Sequence, residues 1–107
     1  MTDHLPLTAL HAIEIQARTG GHIAAGQSAD FIITDITIDS RRCHEGSLFV
    51  ALPGGQADGH DFISAAADLG AAAALVSRPT NDADLPMLVV NDVKHALTSL
   101  GLSLIHI

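Results

Sequence analysis

The chain has no Trp, no Tyr and only three Phe among its 107 residues, so any core it builds is aliphatic. A single cysteine, Cys43, cannot form an internal disulfide, which fits a reducing cytoplasm. Basic residues are also scarce. Five Lys and Arg stand against twelve Asp and Glu, for a net charge of −7. That balance excludes a nucleic-acid partner, since phosphate binding needs clustered cations. No apolar stretch reaches the ~20 residues that a membrane span requires. The first ten residues, MTDHLPLTAL, have neither the basic start nor the unbroken apolar segment of a signal peptide. Also absent is a phosphate loop of the form G-x-x-x-x-G-K followed by Ser or Thr, so the chain by itself makes no ATP site of that kind. One soluble domain, or a piece of a larger protein, is expected. At this length it buries roughly two-thirds of its unfolded surface, enough for one core.

What is present is mostly Ala, Leu, Ile and Val, within an apolar total of 48%. Leu7, Leu10, Ile13 and Ala17 recur at helical spacing, with Thr8 as N-cap and Gly20-Gly21 as stop. GHIAAG reads as a short strand ending at a turn. DFIITDITIDS reads as a strand with a bend near Asp35, and GSLFVAL (46–52) as a buried strand before Pro53. From Asp58 the period changes to that of a helix, with Phe62, Ile63, Ala66 and Leu69 on one face and Gly70 closing it. A strand at 71–77, a loop, a strand at 85–90 and a helix capped by Asp92 follow. This order predicts an α/β fold: a small mixed or partly parallel sheet flanked by helices. The tail LSLIHI ends on apolar residues, so residues 101–107 are expected to be truncated or not native.

Seven histidines raise the question of a metal, yet no H-x-x-x-H pair lies on a helix and Cys43 has no C-x-x-C partner. His44, His60 and Cys43 are the candidates for zinc, and they are too sparse to make a cage. No metal is expected. The stretch IDSRR (38–42) is more informative. Asp39 and Ser40 end a strand of isoleucines, where side chains emerge at a sheet edge. Ser40 and Gln56 together offer donors and acceptors suited to the alternating C=O and N–H edge of a uracil-like base. Gly54 and Gly55 let backbone approach a ring closely, Ile38 and Ala57 can cover its faces, and Arg41 or Arg42 can meet phosphate oxygens. The residues alone leave a second reading open: an Asx turn at Asp39-Ser40, a plain glycine loop, and Asp58 as a cap.

The same stretch resembles the Mur ligase family, ATP-dependent enzymes of bacterial cell-wall synthesis. The similarity rests on Asp39-Ser40-Arg41, Gly46, Leu48-Phe49-Val50-Ala51-Leu52, Gly54, Asp58-Gly59-His60-Asp61-Phe62 and Gly70-Ala71-Ala72, and it runs on through LPMLVVNDVKHAL. It spans about residues 22–100. The resemblance implies that residues 1–100 are the N-terminal domain holding the UDP end of a UDP-N-acetylmuramoyl-peptide. The central domain, with ATP and Mg, and the C-terminal domain would lie outside this chain, which would bind no cofactor and hold no catalytic residue. By position, Ile38 and Ala57 would flank the uracil. Ser40 would face the diphosphate, Gly55 and Gln56 would line the base pocket, and Arg41 is a candidate phosphate contact. Gly55 stands where a well-characterised member has His, leaving at most a backbone contact. Asp58, Gly59 and His60 would fix the loop and start the helix. Within the family the likeness favours members that add D-alanyl-D-alanine to the UDP-muramoyl tripeptide. Members adding the third residue, meso-diaminopimelate or L-lysine, come next. A stand-alone α/β binding domain without catalysis is the alternative of another class.

Overall fold

The computed structural model describes residues 10–24, 30–54, 58–80 and 84–100, and the backbone of 105–106. The described residues begin with a two-residue strand, Leu10–His11 (β1), followed by a helix, Ala12–Thr19 (α1). Strands His22–Ile23 (β2), Ile32–Ile33 (β3), Asp35–Thr37 (β4) and Ser47–Val50 (β5) come next. A helix Ile63–Asp68 (α2), strands Ala73–Val76 (β6) and Met87–Val89 (β7), a helix Val93–Ser99 (α3) and a strand Ile105–His106 (β8) complete the order.

Six strands form the main sheet in the order β2-β7-β6-β5-β4-β8, and β1 pairs with β3 separately. Pairings β4–β5, β5–β6, β6–β7 and β4–β8 are parallel, whereas β2 adds antiparallel to β7. The mixed or partly parallel sheet expected from the element order is therefore present, with most of its pairings parallel. All four residues of β5 and of β6 are buried, as expected of parallel strands covered on both faces. Alternation divides them. Leu48, Val50, Ala73, Leu75 and Leu88 face Ala12 and Ile15 of α1 and Val93 and Ala96 of α3. Phe49, Ala51, Ala74, Val76 and Met87 face Ile63 and Ala66 of α2, with Cys43 alongside. Each fully buried Leu, Ile or Val contributes about 1.5–3 kcal/mol relative to exposure.

Three expectations need correction. The first helix begins at Ala12, because Leu10 and His11 pair with Ile33 and Ile32 and the Ala12 N–H bonds to the Phe31 carbonyl at 3.0 Å. Its inward face is Ala12 and Ile15, leaving Ile13 74% exposed. His11 is the cap, and Leu7 and Thr8 lie outside the described residues. The stop is as expected: Gly20 takes φ 73° and its N–H bonds to the Gln16 carbonyl at 2.9 Å, a left-handed closure that glycine adopts without strain. Secondly, the isoleucine segment is two strands and not one: the bend expected near Asp35 is present, at Thr34, whose N–H is taken by the Gly46 carbonyl at 2.9 Å. There the chain passes from β3 to β4, in a different sheet. Thirdly, Phe62 and Leu69 are 44% and 49% exposed. The helix begins only at Ile63 after a 3-10 turn, Gly59–Phe62, so its buried stripe narrows to Ile63 and Ala66.

Candidate functional site

Parallel pairing puts the ends of β4 and β5 at one edge of the sheet. A cavity of about 760 Å³ opens there, lined by Ile38, Asp39, Ser40, Arg41, Phe49, Leu52, Gly59, Phe62 and Ala65. Crevices outside the carboxyl ends of parallel strands are where open α/β sheets bind ligands. Of the residues singled out in the sequence, Ile38, Ser40 and Arg41 are together in its wall. Gly55, Gln56 and Ala57 lie outside the described residues. The positions that bracket them, Leu52 and Gly59, line the same cavity.

The β4 side is held by hydrogen bonds that the Asp-Ser-Arg order makes possible. Thr37, fully buried, accepts the Asp39 N–H through Oγ1 at 3.1 Å. Asp39 then caps a 3-10 turn, Ser40–Arg42, its Oδ1 accepting the Arg41 N–H at 3.0 Å. The same carboxylate takes Arg41 Nε on Oδ1 and Nη2 on Oδ2, both at 3.0 Å. The guanidinium side chain is 88% exposed, so this forked pair is what restrains it. Arg41 lowers the Asp39 pKa, first through that side-chain bond and then through its backbone N–H. Two of the guanidinium nitrogens are thus engaged and one edge is left over. Among the described residues, the Ser40 hydroxyl has no hydrogen-bond partner.

On the β5 side the chain leaves Leu52, passes the loop, and returns at Asp58. The Gly59 N–H bonds to the Leu52 carbonyl at 2.8 Å. Backbone packing is so close here that a Cβ on Gly59 would lie 2.6 Å from Leu52 N and 2.8 Å from Ala51 Cα. Asp58 Oδ1 accepts the His60 N–H at 2.9 Å and His60 Nδ1 at 2.7 Å, and its Oδ2 accepts Arg78 Nη2 at 3.2 Å. Led by the backbone bond from His60, these contacts bring the Asp58 carboxyl down to about 2.

Ser77, His60 and Asp58 form a chain with the connectivity of a hydrolase triad, since Ser77 Oγ is 3.2 Å from His60 Nε2. The chemistry is different. The Ser77 backbone N–H, an obligate donor, points at the same Nε2 at 3.1 Å. Nε2 therefore accepts from the backbone and the ring proton sits on Nδ1, donated to Asp58. With its lone pair occupied and its side chain only 4% exposed, His60 is not available as a general base.

The donor set also speaks to metals. Among the described residues no three His, Cys, Asp or Glu side chains come together as a cation cage. His60 is engaged at both ring nitrogens, and His44 bonds to Asp35 through Nε2 at 3.1 Å and to the Glu45 carbonyl through Nδ1 at 2.9 Å. Burial pushes the Cys43 thiol up to about 11, with Asp35 and Asp39 adding to the shift, which makes it a poor ligand or nucleophile at neutral pH. These side chains do not make a magnesium site. No helix among the described residues is long and apolar enough to cross a membrane.

Sequence reasoning missed Phe49, Leu52, Phe62 and Ala65 as cavity residues. Phe62 had one signal: it follows the Asp-Gly-His-Asp turn directly, before helical periodicity can hold it inside. The His60–Ser77 contact joins residues 17 apart, and no local spacing announces it.

The model of the Mur ligase family, catalytic domain, matches residues 32–101. The UDP-N-acetylmuramoyl-tripeptide--D-alanyl-D-alanine ligase of Escherichia coli (strain K12) is 47% identical over 75 residues, covering 70% of this chain and 16% of that protein. The UDP-N-acetylmuramoyl-L-alanyl-D-glutamate--2,6-diaminopimelate ligase of Bacillus licheniformis is 46% identical over 77 residues, covering 72% and 15%. The chain thus spans about a sixth of the length of these relatives. Among solved structures, MurF from Acinetobacter baumannii superposes with a TM-score of 0.82 at 35% identity, covering 91% of this chain and 21% of that one. Two-thirds of the sequence matches the family model and nearly all of the fold is shared: the chain belongs to the Mur ligase family.

Proposed function

We propose that this chain is the domain of a D-alanyl-D-alanine-adding Mur ligase that holds the UDP end of UDP-N-acetylmuramoyl-tripeptide, N-terminal to the domains that bind ATP and D-alanyl-D-alanine. One observation carries the reading. Ile38, Ser40 and Arg41 share a cavity with Leu52 and Gly59, which bracket the stretch holding Gly55, Gln56 and Ala57. In this reading Ile38 and Ala57 cover the uracil, Gly55 and Gln56 meet its edge, Ser40 bonds the diphosphate, and the uncommitted edge of Arg41 faces a phosphate oxygen. The role is one of placement: binding energy gained at the nucleotide is used to orient a reacting carboxylate far away. ATP and magnesium belong to the remainder of the enzyme, which acts in the cytoplasm.

Titration of the chain with UDP and with UDP-N-acetylmuramic acid, followed by amide chemical shifts, tests this. The largest changes should fall on Ile38–Arg41 and on the stretch from Leu52 to Gly59. A spectrum unmoved at millimolar nucleotide overturns the reading in favour of a stand-alone domain. In the complete enzyme, Gln56→Ala should raise the KM for the UDP substrate with little change in kcat.

A second reading is supported by identity alone. The diaminopimelate-adding relatives match at 46%, against 47% for the D-alanyl-D-alanine-adding one. The same cavity would then hold the UDP end of UDP-N-acetylmuramoyl-dipeptide. Assaying the complete enzyme with each acceptor and amine decides between them.

A further inference from the structure

We propose that His60 is a positioning residue for nucleotide binding: it ties the Gly59–Phe62 turn to the end of β6 and so fixes one wall of the cavity. The proposal rests on the nucleotide reading above and adds to it a residue that touches no ligand, since His60 is absent from the cavity lining while Gly59 and Phe62 on either side of it are present.

The turn has few other anchors. It is too short for a helical hydrogen-bond ladder, and Phe62 is half exposed. One end is pinned by the Gly59 N–H to the Leu52 carbonyl. Arg78 reaches Asp58 from a side chain that is itself 58% exposed, a contact of the weak surface kind. His60 differs from both. Its ring is buried and satisfied at both nitrogens, by Asp58 within the turn and by the Ser77 N–H outside it. Ser77 follows β6 directly, and every residue of β6 is buried. The imidazole therefore ties a short turn at the solvent edge to the end of a fully buried strand. Removing it takes its partner from the part-buried Ser77 N–H and one of the two bonds that Asp58 Oδ1 accepts, leaving Asp58 with the backbone N–H of that residue and with Arg78.

By thermodynamic reciprocity, whatever holds the cavity wall in its binding geometry is in turn held by the ligand. This gives a readout that a merely structural histidine would not move. Ser77 does not line the cavity, yet saturating UDP should slow hydrogen exchange of its amide by about fivefold or more, relative to the Gly20 amide at the far end of α1. Equal slowing at Ser77 and Gly20 overturns the proposal. Variants give the second arm. His60→Ala should raise the Kd for UDP about tenfold. His60→Gln, which keeps a donor and an acceptor on one planar head, should restore it to within about threefold. Unchanged UDP affinity in a folded His60→Ala chain removes the positioning role while leaving the nucleotide site standing. Absence of UDP binding by the unaltered chain removes both. The exchange measurement needs no variant, so it decides the matter even where His60→Ala fails to fold.

Discussion

At Gly59 a single added atom has a large effect. A Cβ there would press on Leu52 N and Ala51 Cα, both backbone atoms flanking a buried strand, so neither neighbour can rotate away. Gly59→Ala should destabilise the chain by about 1–3 kcal/mol, the range of an overpacked site, as read from its urea midpoint. It should also weaken UDP binding, because the turn it displaces carries Phe62 into the cavity wall. Cys43 makes the opposite case, a reactive residue type made inert by its surroundings. With its pKa at about 11, only on the order of a thousandth of the thiol is ionised at pH 8. Alkylation at that pH should be slow in the folded chain and should accelerate sharply in denaturant. Fast labelling without unfolding would contradict the buried environment described for it.

At the level of elements, the turn headed by Asp58 links acidity to stability. Its carboxyl falls from an ordinary value of 3.8 to about 2 on folding, so the folded chain holds the ionised form better than the unfolded chain does. The resulting stabilisation is complete above about pH 4 and disappears as pH falls through 2. Asp39, lowered by Arg41, acts in the same direction. Asp58→Asn should therefore flatten the decline in urea midpoint between pH 4 and 2, and an unchanged slope would assign the acid sensitivity elsewhere. Asp92 caps α3 by accepting the His95 N–H at 3.1 Å. Asp92→Ala should lower stability by about 1 kcal/mol in the same assay.

Elements are also where the sequence is most and least legible. Strands β5 and β6 are plain as short apolar runs, each opened by a glycine (Gly46, Gly70) and followed by a proline (Pro53, Pro79), and α3 is plain from its cap and period, because each is governed by neighbours in the chain. The start of α1 is not. Leu10 and His11 carry a helical pattern, but pairing with Ile32 and Ile33 outweighs it, and that partner lies twenty-odd residues away. Of the cavity, Ile38, Ser40 and Arg41 were visible because they end a strand. Phe49 and Leu52 were hidden as ordinary core residues, and the His60–Ser77 tie was hidden because it exists only once β6 has been placed.

For the whole molecule, the sheet separates two aliphatic clusters, one under α1 and α3 and one under α2. The cavity lies at the strand ends, and of its lining only Phe49 is a fully buried member of either cluster. Ligand binding should then stabilise the chain without rearranging its core. At a UDP concentration a hundred times its Kd, the gain is about 2.7 kcal/mol, seen as a rise of several degrees in Tm. No rise at millimolar UDP would argue against the site. The pinch between Leu52 and Gly59 has one more implication. It closes off the intervening stretch at its base, and Asp58 at the end of that stretch ties back to the scaffold through His60 and Arg78. Lengthening that stretch twofold should cost only about 0.6 kcal/mol of closure entropy. Evolution, or an engineer, can exchange the residues before Asp58 like a cassette and alter which nucleotide is recognised while the melting behaviour of the host barely changes.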